Sequence, residues 1–114
     1  MMNFSIALEQ NRDSALLELS GEFDGMAAPT YCDRVSEQLQ RGVCRFIIDL
    51  NNLEYIDSQG IHALLTSLRA AQERRGGMCL VISERRIARV LAVAGIDKVF
   101  DLYDHRATAM ARAG

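Results

Sequence analysis

The stretch FIIDLNNLEYIDSQGIHALLTSLRAA, residues 46–71, joins a short apolar run to an amphipathic helix through a polar segment. Residues 46–50 carry apolar side chains on both sides of an extended chain, which is typical of a central strand covered on both faces. We interpret residues 51–57 as a loop. The apolar residues that follow recur at helical spacing and predict the buried stripe of a helix that ends at Gly76-Gly77: Ile61, Leu64, Leu65, Leu68 and Ala71.

The residues before this stretch predict a β-hairpin and a first helix. Apolar side chains alternate over residues 4–8 and continue over residues 15–19, with a turn at residues 11–13 between them, and residues 21–25 break the second strand. A helix is expected from Ala28 to the break at Arg41-Gly42, with Pro29 in its first turn. Its apolar stripe is Tyr31, Cys32, Val35 and Leu39.

The residues after this stretch continue the alternation of strands and helices. An apolar strand is expected over residues 78–82, an edge strand over residues 99–102 and a short terminal helix from about Asp104. Ser83 is a candidate cap for a third helix, with Gly95 just past its end. The inner face of that helix is expected to be Ile87, Val90, Leu91 and Ala94. The prediction is an α/β fold with a mixed sheet, an N-terminal hairpin and about four helices.

Length and composition exclude several kinds of function. The 114 residues predict a single domain over residues 1–114, and 49% hydrophobic with 25% charged residues is ordinary globular usage. A net charge of −2 argues against direct nucleic-acid binding. No leader or membrane-spanning stretch is evident, so a soluble, cytoplasmic protein without membrane insertion is expected. Three scattered cysteines are predicted to be small buried hydrophobes: Cys32, Cys44 and Cys79.

The candidate site lies where two strands end. In parallel sheets the loops at the carboxyl ends of the strands converge, so residues 21–25 and 51–60 are expected at one edge. Ser58 stands where the main helix begins, with Asp57 before it. Either residue can cap that helix. The free amides and the positive dipole end of a helix can also accommodate a phosphate, so Ser58 can be a phosphate acceptor as well.

Other chemistries find less support in the residues. A hydrolase that uses Ser58 with His62 as its base stays open, although the glycine that precedes the serine in a nucleophile elbow is absent. Neither metal-ligand spacing nor a phosphate-binding glycine loop is present, so neither a metal nor a cofactor is expected. Six arginines between residues 69 and 89 form a basic region, which is interpreted as a solvated surface or a partner contact.

Several segments in the same order resemble the STAS domain of bacterial anti-sigma factor antagonists. They are Gly21-Glu22-Phe23-Asp24, Ile47-Ile48-Asp49-Leu50, Asp57-Ser58-Gln59-Gly60, Arg75-Gly76-Gly77 and the run from Val90 to Ile96. The resemblance covers nearly the whole chain and implies a STAS-like fold. It also implies a non-enzymatic protein in a partner-switching pathway, which binds an anti-sigma factor that is itself a serine kinase.

The resemblance implies a role for each matching residue. Ser58 is the phosphorylation site, which a phosphatase resets, and Asp24 and Asp57 are its acidic neighbours. The expected partner-binding set is Asp24, Asp57, Ser58, Gln59, Gly60 and His62. The family usually has Ser or Thr after the acceptor, whereas this chain has Gln59. The free protein is expected to be a monomer, and the alternative function is a STAS scaffold in a lipid-transport ATPase or in a secretion or biofilm signalling complex.

Overall fold

The computed structural model describes residues 3–113. Within that range five strands form one sheet in the order β1-β2-β3-β4-β5, flanked by four α-helices. The elements are β1 (Phe4–Asn11), β2 (Ser14–Phe23), α1 (Ala28–Gln40), β3 (Arg45–Ile56), α2 (Ser58–Glu73), β4 (Gly77–Val81), α3 (Arg85–Val93), a 3-10 turn (Ile96–Lys98), β5 (Asp101–Tyr103) and α4 (Arg106–Ala113).

The pairing of the strands confirms the predicted mixed sheet. Strands β1 and β2 form an antiparallel hairpin, whereas β2, β3, β4 and β5 are parallel to one another. The hairpin turns at Arg12, which takes a left-handed backbone with φ 58°, and the hydroxyl of Ser14 donates to the carbonyl of Asn11 at 3.0 Å. The parallel arrangement places the carboxyl ends of β2 and β3 side by side.

Helices cover both faces of the central strands. Side chains of α1, α2 and α3 form the main core with one face of the sheet, and α4 covers a smaller cluster on the other face. The guanidinium of Arg106 in α4 pairs with the carboxylates of Asp49, at 2.5 Å, and Glu18. Asp49 is 5% exposed, so its pairing with Arg106 compensates the charge of a carboxylate that is buried in the sheet.

The predicted break at Gly21 and the predicted loop over residues 51–57 are wrong in their bounds. Strands β2 and β3 continue side by side to Phe23 and Ile56, with two register shifts on the way. Gly21 has φ 93°, and its backbone lies against the carbonyl of Asn3, which accepts a hydrogen bond from the Glu22 amide at 2.7 Å. A glycine is needed there for close approach, and it does not end the strand.

The third helix is capped by Glu84, so the prediction of Ser83 as its cap is wrong. The carboxylate of Glu84 accepts hydrogen bonds from the amides of Arg86 and Ile87. These bonds hold the pKa of Glu84 below its usual value. Ser83 instead donates from its amide and its hydroxyl to the side-chain oxygen of Asn51, which ties α3 to the end of β3.

The predicted buried faces of two helices, α3 and α2, need correction. In α3 only the Ile87 and Leu91 positions of the predicted face are buried, while Val90 and Ala94 are exposed. In α2 Ile61 and Leu65 are half-buried, because the helix turns small residues toward the core, namely Gly60, Ala63, Ser67 and Ala71 beside Leu64 and Leu68.

The cysteines also differ from the prediction, because only Cys79 is buried and both Cys32 and Cys44 are half-buried. Burial and the nearby carboxylate of Asp101 raise the pKa of Cys79 to about 11. Within residues 3–113 the structure contains neither a helix long and apolar enough to cross a bilayer nor a cluster of residues able to hold a metal ion.

Candidate functional site

The site lies at the carboxyl edge of the sheet, where β2 and β3 end together. Phe23 and Ile56 are paired across the two strands, and the amide of Asp57 donates to the carbonyl of Phe23 at 3.3 Å. The segment after β2 and the start of α2 are therefore held side by side, as the sequence predicts for two parallel strands. Asp24 and Ser58 each follow one of these strand ends.

Asp57 caps α2, so Ser58 is the first residue of the helix. One carboxylate oxygen of Asp57 accepts from the amide of Gln59 at 2.9 Å and from that of Gly60 at 3.1 Å, while its carbonyl accepts from Ile61 at 3.0 Å. The sequence predicts free amides at this end of the helix. Two of them are already occupied, so a phosphate on Ser58 would compete with the Asp57 carboxylate for them.

Ser58 itself is exposed, and its hydroxyl makes no hydrogen bond with the side chains or backbone of residues 3–113. Among the residues that the structure describes, no base is therefore hydrogen-bonded to the hydroxyl. His62, one helical turn later, is also exposed, and no hydrogen bond joins it to Ser58 in the part of the chain that the structure describes. The geometry fits a serine that another protein reaches better than a serine nucleophile with its own base.

Gly60 makes the close contact between α2 and the end of β2. A β-carbon at this position would overlap the carbonyl oxygen of Phe23 and lie 3.1 Å from Cγ of its ring. Phe23 is fully buried and stacks on Phe4, with ring centroids 5.3 Å apart, and meets the ring of Tyr31 edge-on at 5.0 Å. The surface that carries Ser58 therefore rests directly on the aromatic part of the core.

Asp24 shapes the segment between β2 and α1. One oxygen of its half-buried carboxylate accepts from the amides of Met26 at 3.0 Å and Ala27 at 3.1 Å. Asp24 and Asp57 therefore make the same kind of local turn, one on each side of the site. Both carboxylates are held by backbone amides of their own segment, so each negative charge has a defined position.

Gln59 lies against the neighbouring segment. Its Cγ is 3.5 Å from the position that a β-carbon on Gly25 would take, which is ordinary van der Waals contact. The exposed Gln59 side chain thus lies close to the loop after β2. The sequence alone gave no signal for this contact, because it depends on how closely the two strand ends approach.

Two exposed apolar residues beside these segments were missed by the sequence analysis. Met26 is 71% exposed and Tyr55 is 50% exposed. Tyr55 is paired in register with Glu22, and both are exposed, as is Glu54. Residues 20–27 and 51–59 contain no Lys or Arg. Each of these residues follows Gly or Glu in a polar segment, and a large apolar residue in such a position could have indicated an exposed contact surface.

The family model described as "STAS domain" matches residues 5–109, which is most of the chain. The chain belongs to the STAS domain family, which confirms the resemblance. It is 28% identical over 110 residues to the anti-sigma F factor antagonist of Paenibacillus polymyxa, an alignment that covers 96% of this chain and 94% of that protein.

Solved structures share the fold. An anti-sigma factor antagonist from Mycobacterium paratuberculosis superposes with a TM-score of 0.82 at 23% identity, covering 96% of this chain and 93% of that one. The Bacillus cell fate determinant SpoIIAA in its phosphorylated form superposes with a TM-score of 0.75 at 21% identity, covering 96% of this chain and all of that one, 100%. These two likenesses establish the architecture.

Proposed function

We propose that this chain is an anti-sigma factor antagonist, which binds an anti-sigma factor that is a serine kinase and is released when that kinase phosphorylates Ser58. The relative from Paenibacillus polymyxa carries the antagonist name. The observation that carries the proposal is the placement of Ser58, which is exposed at the first position of α2, directly after the carboxylate that caps the helix.

The binding surface is defined as Met26, Tyr55 and the residues around Ser58. It combines two exposed apolar side chains with four acidic ones, Glu22, Asp24, Glu54 and Asp57. Exposed apolar residues beside a rim of one charge fit a partner surface with an apolar pocket and basic neighbours. His62 and Gln59 lie on the exposed side of the first turns of α2, where they can contact the same partner.

Phosphorylation needs the partner's own chemistry. The kinase supplies ATP, magnesium and the base that takes the hydroxyl proton, while the oxygen of Ser58 attacks the γ-phosphorus and ADP leaves. The product adds a charge of about −1.5 to −2 beside Asp57. The phosphate therefore adds negative charge to a surface that is already acidic. Asp57 accepts hydrogen bonds from two of the nearest helix amides, so these amides are not free to bind the phosphate.

The resulting loss of affinity is modest in energetic terms. A tenfold weaker complex corresponds to about 1.4 kcal/mol, which charge repulsion and desolvation of a phosphate can supply. A phosphatase restores the original surface by hydrolysing the phosphate monoester with water, which releases phosphate and returns the hydroxyl. Gln59 cannot accept a phosphate, so Ser58 is the sole acceptor in the first turn of α2.

The experiment uses the purified chain and a serine-kinase anti-sigma factor from the same genome. After incubation with ATP, intact mass and peptide mapping are expected to locate one phosphate on Ser58. Ser58→Ala should bind the kinase and stay unmodified, whereas the matched control Ser36→Ala, which changes an exposed serine on α1, should be phosphorylated like the wild type.

Three outcomes would contradict the proposal. A kinase that binds the chain but leaves Ser58 unmodified would contradict regulation by phosphorylation of this residue. Capture of transporter ATPase components from native cells, together with no binding to any serine kinase, would favour the scaffold function. Loss of binding by a folded Ser58→Ala variant would give the hydroxyl a direct role in the interface.

A further inference from the structure

A groove of about 400 Å³ lies on the α4 face of the sheet, at the opposite end from Ser58. Residues at the starts of β2, β3, β4 and β5 line it, as does the last part of α4. Ile47 and Cys79 are nearly buried apolar residues along it, and Met110 on α4 is half exposed beside them. The volume is within the range of about 300–1,000 Å³ for small-molecule sites.

Gly77 keeps the groove open. It is the first residue of β4, and because side chains alternate along a strand it shares a face with Cys79. A β-carbon at Gly77 would meet no atom within 4 Å, and the residue has no left-handed backbone to explain the glycine. Glycine weakens a strand and often marks a place where a ligand approaches the backbone.

Two arginines give the groove its charge. Arg45, paired in register with Gly77, and Arg112 near the end of α4 both line it. Neither forms an ion pair with any side chain in the described part of the protein, where the salt bridges involve Arg106. Asp101 is the one carboxylate in the lining, so two guanidinium groups face a single negative charge.

We propose that this groove binds a small amphipathic monoanion, a carboxylate attached to a short apolar chain. The apolar chain lies along Ile47, Cys79 and Met110 in the space beside Gly77. The carboxylate pairs with Arg45 and Arg112, because a guanidinium donates two parallel hydrogen bonds to a carboxylate. This site is separate from the partner surface around Ser58, so either proposal can fail without the other.

The probe is octanoate, followed by NMR titration of the labelled full chain. Saturable shifts are expected at residues that line the groove, with weaker binding of the neutral analogue octanol. Gly77→Val should abolish the binding while the protein stays folded, since a valine there enters open space and favours a strand. Arg45→Gln and Arg112→Gln should each weaken it roughly fivefold. The matched control Arg69→Gln, on α2 across the sheet, should bind like the wild type.

Three results would overturn the proposal. The first is the absence of saturable shifts with octanoate at the groove of the wild-type chain. The second is equal octanoate affinity of wild type and a Gly77→Val variant whose circular dichroism shows an intact fold. The third is equal affinity for octanoate and octanol, which would contradict the assignment of an anion.

Discussion

Gly60 and Phe23 meet so closely that no side chain fits between the first turn of α2 and the last residue of β2. A β-carbon on residue 60 would overlap the Phe23 carbonyl oxygen. Because both partners are backbone groups next to a buried ring, neither can move aside without displacing the helix start. The position of Ser58 relative to the loop after β2 therefore depends on residue 60 being a glycine.

The first prediction concerns that contact. Gly60→Ala should destabilise the fold by about 1–3 kcal/mol, because an overpacked buried site forces the backbone to shift. Thermal or denaturant unfolding measures the change. The matched control is Gly25→Ala, where the added carbon would be 3.5 Å from Gln59 and little change is expected. A Gly60→Ala variant as stable as the control would show that α2 tolerates displacement.

The second prediction separates the two roles of Asp57. Asp57→Ala should lower the free energy of unfolding by about 1 kcal/mol, because the amides of Gln59 and Gly60 lose their acceptor. Asp57→Asn keeps an oxygen acceptor and removes the charge, so its stability should stay near that of the wild type. Equal losses in both variants, measured by urea unfolding, would contradict a hydrogen-bonding cap and point to charge alone.

The third prediction concerns the attachment of α4. Arg106→Gln leaves the nearly buried carboxylate of Asp49 without its cation, and a loss of about 2–4 kcal/mol is expected. Asp49→Asn combined with Arg106→Gln should recover part of that loss, because no uncompensated charge then remains. Denaturant unfolding of the two single variants and the double variant forms a complete cycle. Strict additivity would mean that the two side chains act independently.

The fourth prediction concerns pH. Hydrogen bonds from the amides of Ile87 and Arg86 hold the pKa of Glu84 below its usual value, so its ionised form is favoured in the folded state. The contribution to stability is therefore present above the pKa of Glu84 in the unfolded chain and is lost as pH falls through the lower folded value. Glu84→Gln should flatten this part of the stability curve below neutral pH. If the dependence of stability on pH were the same in Glu84→Gln and the wild type, the Glu84 cap would not be its cause.

The fifth prediction concerns the partner surface. Met26→Ala and Tyr55→Ala should each weaken binding of the proposed kinase about tenfold, because exposed apolar side chains that become desolvated contribute most to interfaces. The matched control is Val93→Ala on α3, where the valine is 85% exposed and lies outside this surface. Calorimetry or surface plasmon resonance measures the affinities. Equal effects at all three positions would place the interface elsewhere.

Local patterns in the sequence were sufficient for most of the fold. The alternating apolar residues of the hairpin and the helically spaced ones in α1 and α2 are all buried or half-buried, although Cys32, Ile61 and Leu65 fall short of the full burial predicted for them. The prediction of a loop over residues 51–57 was wrong, because it rested on the polar residues Asn51, Asn52 and Glu54. Pairing with β2 keeps them extended, and that tertiary effect leaves no local signal.

The site was predictable in position but not in detail. Ser58 and Asp57 were identified from their place before an amphipathic helix, and the cap could have been either of them until the geometry assigned it to Asp57. The contact of Gln59 with Gly25 and the exposure of Met26 depend on how two distant segments approach each other. Such distances are set by packing of the whole sheet edge and not by residue spacing.

The buried ring of Phe23 also bears on how long a signal lasts. Since the end of β2 and the start of α2 are joined at the Phe23 carbonyl, the proposed switch requires no rearrangement of this surface. Under the proposed function, the phosphate ester on Ser58 is then the only difference between the two states of the protein. Its lifetime follows the turnover of the enzymes that make and hydrolyse it, so their abundance in the cell sets the duration of the response.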